Sequence, residues 1–150
     1  MRNSLGIAVL LACAGCGADP SRPPSIRYGE EACARCRMII SDDRFAAALV
    51  TSGGETLKFD DIGCLVDHEA GRQSPPGTTY WVRDSAGGDW LDARAATYVR
   101  SVTVPSPMGY GLKALPPTSP EAGPALRFAD LPAVVSASRG EEQGTARPDL

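Results

Sequence analysis

The sequence predicts an α+β domain of two similar ββαβ-type units, and three observations carry that reading. Short apolar segments alternate with turns rich in Gly, Pro and Asp between Glu30 and about Leu115. The step Phe59-Asp60-Asp61-Ile62, strand into capped helix, is echoed at Trp90-Leu91-Asp92-Ala93. With 16 Gly and 13 Pro in 150 residues, long helical bundles and coiled coils do not fit.

The elements follow in order. Phe45 to Val50 and Thr56 to Phe59 are apolar runs joined by Ser52-Gly53-Gly54, a hairpin signal because paired glycines tolerate positive φ. Asp60 or Asp61 can cap a helix from Ile62 to about Ala70, which Pro75-Pro76-Gly77 closes off. Thr79 to Val82 reads as a third strand, and Ala86-Gly87-Gly88 turns into a fourth at Trp90-Leu91. In the second unit Ala95, Ala96, Tyr98 and Val99 are expected on a helix, and Val102 to Val104 on a strand. Beyond the Pro-rich stretch after Leu115, Ala125 to Phe128 reads as an edge strand. The tail, residues 136–150, reads as disordered because it is charged and Gly-bearing.

Residues 1–15 read as an export signal. Met1-Arg2 is positive, Leu5 to Ala12 is apolar, and the run is too short to span a bilayer. A lipoprotein signal ends on the cysteine that receives the lipid, and two are candidates: Cys16, which gives the better signal length, or Cys13, which has the better residues upstream. Residues 16–29, Pro- and Ser-rich, then read as a lipidated flexible tether, with residues 30–135 as the domain. The protein is therefore expected in the cell envelope, lipid-anchored and facing the periplasm, with the outer membrane favoured. A net charge of −3 leaves no basic excess for nucleic acid.

The soft ligands cluster. Cys33, Cys36 and Met38 fall within six residues, Cys64 opens the predicted helix, and Met108 sits in Pro105-Ser106-Pro107-Met108-Gly109. Thiolate and thioether sulfurs select Cu(I) over hard ions such as Mg²⁺. A second reading uses the same cysteines: Cys33-x2-Cys36 with Cys64-x3-His68 has the spacing of a structural Cys3His zinc site, the last two at i, i+4. It leaves both methionines unused. A thiol oxidoreductase requires C-x-x-C at a helix start after a strand, and here a Pro-rich stretch precedes the pair. No nucleophile elbow, phosphate loop or H-E-x-x-H is present, so no hydrolytic enzyme is expected.

Taken together, Cys33-x2-Cys36-x-Met38-Ile39-Ile40, Phe59-Asp60-Asp61-Ile62-Gly63-Cys64, Val82-x-Asp84, Trp90-Leu91-Asp92-Ala93 and Ser106-Pro107-Met108-Gly109 resemble, in this order, the NosL family. Its members are copper-binding lipoprotein accessories of nitrous-oxide reductase. The resemblance spans roughly Glu30 to Leu115 and implies a fold of two small ββαβ units. It also implies Cu(I) held by the cysteine-methionine segment and the later Met-Gly, with no enzymatic turnover. The copper-sulfide centre of nitrous-oxide reductase would be the destination of the metal, and the partners would be that enzyme and its membrane-bound maturation machinery. Two departures stand out. The family commonly has Gly before the motif methionine, where this chain has Arg37, and Pro116-Pro117 and Pro120 replace an Ala-rich helix. A delivery site is expected to be shallow and exposed, on the Cys33–Met38 turn and the Met108 turn.

Overall fold

The computed structural model describes residues 17–101, 103–120 and 125–145, so the signal segment with both candidate lipidation cysteines lies outside the described residues. The architecture is α+β. Strands β1 (Ala47–Val50), β2 (Thr56–Phe59), β3 (Thr79–Arg83) and β4 (Trp90–Asp92) form an antiparallel sheet in the order β2-β1-β3-β4. Strands β5 (Thr97–Arg100) and β6 (Leu112–Leu115) form a separate antiparallel pair, bridged to the first sheet where Asp84 meets Ala114. Helix α1 (Ile62–Glu69) lies between β2 and β3, and α2 (Leu131–Thr145) packs beside it.

The first unit forms as its pattern dictates. β1 is an unbroken apolar run buried along its whole length, as a central strand must be. It starts at Ala47, later than the sequence suggests, because Asp42 caps a short 3-10 turn over Asp43–Phe45. The hairpin turn uses Gly54 at φ 82, and a Cβ there would come within 2.5 Å of the Gly17 Cα. Residues 17–29 accordingly do not behave as a free tether. Ala18 N donates to Gly54 O, the Thr79 hydroxyl donates to Pro20 O, and Ile26 and Tyr28 pack against the core.

The second unit departs from expectation. Asp92 does start a turn, its carboxylate accepting from Arg94 N and its carbonyl from Ala96 N, but the turn does not propagate into a helix. Thr97-Tyr98-Val99 instead becomes β5, because β-branched and aromatic residues suit a half-buried strand and β6 supplies a partner. The segment expected as a strand near Thr103 and Val104 is a bend, and Val102 lies outside the described residues. Around Leu126 only a single bridge to Tyr98 forms before a 3-10 turn at Phe128–Asp130. The tail from Ser136 is helical as far as Thr145. Leu131 and Val135 are buried and Val134 is partly so, which gives α2 an apolar stripe to set against the core.

Candidate metal centre

The segment from Ala32 to Ile39 folds back on itself as a knuckle. Ala32 bridges Ile39, Cys33 N donates to Met38 O at 2.8 Å, and Arg37 N donates to Cys33 O at 3.1 Å. The return is made at Arg37, whose φ of 69 lies in the left-handed region that glycine favours. Ala34 N donates to Lys58 O, and Lys58 pairs with Glu31, so the knuckle is stitched to the end of β2 next to Phe59. The backbone amides of Arg35, Cys36 and Asp60 point at the Cys33 sulfur, and that of Met38 points at the Cys36 sulfur.

The two aspartates after β2 divide their work. Asp61 is the N-cap of α1: its Oδ1 accepts from Gly63 N at 2.8 Å and its Oδ2 from Met108 N at 3.1 Å. The Ser106 hydroxyl also bonds Asp61 and accepts from Gly111 N, closing the Met108 loop onto the helix start. Tyr110 from the same loop covers Gly63, where a Cβ would lie 2.1 Å from the ring. Asp60 takes no part in the cap. Its Oδ1 accepts from the Cys36 thiol at 3.3 Å, and its buried Oδ2 has no partner among the described residues.

One ligand atom from each of Cys33, Cys36, Asp60 and Cys64 lies within 4.8 Å of the others, an arrangement able to hold a metal ion. Cys33, Cys64 and Asp60 are buried, and Cys36 is half-buried. All three cysteines are free thiols. A tetrahedral shell with bonds of about 2.3 Å has edges of about 3.8 Å, so a contraction of at most about an ångström closes this group around an ion.

The electrostatics fit a site waiting for a cation. A hydrogen bond from Cys64, helped by the surrounding amides, lowers the Cys33 thiol to about 4. Burial pushes Cys36 up to about 11. Cys64 is pushed up by the bond it gives to Cys33 and by burial. Burial likewise raises Asp60 above the ordinary carboxylate range. Among the three thiols, ionisation is therefore easiest at Cys33, and a bound cation draws protons from Cys36 and Cys64.

Of the six residues expected from sequence, the three cysteines come together. His68 does not join them. Cys64 lies in the first turn of α1, level with the knuckle, whereas His68 is about 6 Å further along the axis, its ring tilted against Phe59 at 5.4 Å between centroids. Met108 is partly buried against the core and bound to Asp61 by its amide, while Met38 is 51% exposed. Asp60 is the member that sequence reasoning assigned only to capping. The site differs from the shallow, exposed one expected: Cys33 and Cys64 are buried and Cys36 is half-buried. No family model matches the sequence, and no curated protein or solved structure shows significant similarity to it.

Proposed function

We propose that this protein is an exported, lipid-anchored Cu(I)-binding protein of the NosL type, with no enzymatic turnover. It delivers copper for assembly of the copper-sulfide centre of nitrous-oxide reductase, working with that enzyme and its membrane-bound maturation machinery. The observation that carries the metal is the convergence of three thiols within 4.8 Å, two from the knuckle and one from the first turn of α1. Three sulfurs suit Cu(I), which accepts low coordination and prefers soft ligands. Cys36 is the open edge, where an incoming ligand can begin to displace the ion, and the exposed Met38 beside it offers a thioether for the exchange.

A specific observation favours a second reading. The Asp60 Oδ2, buried and without a partner, would complete a four-coordinate Cys3Asp set for structural zinc. Anaerobic competition titration with Cu(I) and Zn(II), on the natural chain and on a Met38→Leu/Met108→Leu variant, separates the two. Delivery predicts that Cu(I) wins and that its affinity falls in the methionine variant while the fold persists. Zinc winning, with the methionines irrelevant, supports the structural site.

A further inference from the structure

We propose that the outer face of the knuckle, formed by Met38 and Ile39 with Arg37 and Arg72, is a docking surface for an acidic protein partner that offers carboxylates around an apolar contact. The partner's role as copper acceptor or donor rests on the delivery reading, whereas the docking needs no metal.

Four observations support this surface, with Arg37 linking the apolar pair that follows it in the chain to the hollow it lines. Met38 and Ile39, 51% and 48% exposed, are the large hydrophobic side chains left open among the described residues, and only Arg37 separates them from the half-buried Cys36. Arg37 holds a left-handed backbone that a glycine would adopt without strain, so a cation is kept here against a backbone cost. Behind it opens a hollow of about 500 Å³, lined by Ala34, Arg35, Arg37, Asp67, His68 and Arg72 among others. Its one carboxylate, Asp67, is already engaged by Arg35 and by Arg139. Neither Arg37 nor Arg72 has a carboxylate partner among the described residues. In a chain of net charge −3, this local excess of guanidinium groups complements an acidic surface.

A membrane surface is the other anionic candidate, and the fold argues against it. Residues 17–20 are fastened at the Gly54 and Thr79 end of the sheet. The knuckle sits at the opposite end, beside Lys58 and Asp60, and six residues of extended chain from Gly54 to Asp60 span about 20 Å. The first described residues, from Gly17, therefore lie at the end remote from the knuckle.

The test uses the metal-free full-length chain and three probes: an acetylated peptide of alternating Glu and Leu, the same peptide with Lys for Glu, and vesicles of phosphatidylglycerol. The Glu-Leu peptide is expected to bind in a salt-sensitive way and the Lys-Leu peptide not to bind. Arg37→Gly with Arg72→Gln should weaken the Glu-Leu peptide about tenfold, and Ile39→Ser should weaken it severalfold. Arg37→Gly suits the local backbone, so the double variant folds, which circular dichroism verifies. Equal binding of the two peptides, or unchanged affinity in the arginine variant, overturns the proposal. Vesicle binding with the same arginine dependence also overturns it, in favour of a membrane surface. Cu(I) titration run in parallel keeps the readings apart, because peptide docking by a chain that fails to bind Cu(I) upholds the surface and removes only the delivery role.

Discussion

The Cys36 thiol donates to Oδ1 of Asp60 at 3.3 Å, across 24 residues of sequence, while the other oxygen of that buried carboxylate is left without a partner among the described residues. The pair joins the knuckle to the start of α1. It also divides the two metals, since Cu(I) is satisfied by sulfur alone and zinc takes a fourth ligand.

Asp60→Asn keeps the shape and the acceptor oxygen but removes the charge. Zn(II) affinity should fall by about 10–100-fold, while Cu(I) affinity changes little. Competition titration of both metals against the variant checks this, and an equal loss for both would place Asp60 in the copper shell as well.

Gly63→Ala tests the contact between helix start and Met108 loop. The added Cβ would press into the Tyr110 ring, which is fixed by its own loop. Overpacking of this kind costs about 1–3 kcal/mol. Denaturant unfolding should show that loss, and an unchanged midpoint would mean that the loop is free to move away.

Arg37→Gly should stabilise the fold by about 0.5–1 kcal/mol, because it removes a left-handed non-glycine residue from an otherwise tightly bonded turn. A lower unfolding midpoint would show that the arginine side chain contributes more than its backbone costs.

Much of this arrangement was legible in the residues. The glycine turn, the Asp cap and the closely spaced cysteines dictate local geometry, and the hairpin, α1 and the knuckle follow from them. The misreadings have separate physical causes, of which a partner distant in sequence is one. Ala95 and Ala96 favour a helix locally, yet pairing with β6 makes Thr97–Arg100 a strand. The tail read as disordered is helical because Leu131, Val134 and Val135, just ahead of it, supply the apolar spacing that starts α2. Asp60 was hidden by its neighbour: two adjacent aspartates precede α1, only one can be the N-cap, and the other is free for the thiols. His68 shares a helix face with Cys64, but it lies a turn further on with its ring against Phe59, and it is not among the converging ligand residues.

Proton release should follow the order set by the site. Cys33, lowered to about 4 chiefly by its hydrogen bond from Cys64, stabilises the metal-free fold at pH above the free-thiol range, and that contribution is lost as pH falls toward 4. Cys36 acts in the opposite sense: raised to about 11 by burial, it opposes folding as pH rises from the free-thiol range toward 11. Thiolate ultraviolet absorbance of the metal-free protein should show one group ionising in the acid range, absent in Cys33→Ser. Three thiols titrating together in the ordinary range would contradict this electrostatic picture.

The most direct test of the copper reading is X-ray absorption at the metal edge of the protein loaded anaerobically with one equivalent of Cu(I). The account predicts a shell of two or three sulfurs with no oxygen or nitrogen donor, reduced in sulfur count by Cys64→Ser. A shell completed by oxygen or nitrogen, or one indifferent to the loss of Cys64, would contradict it.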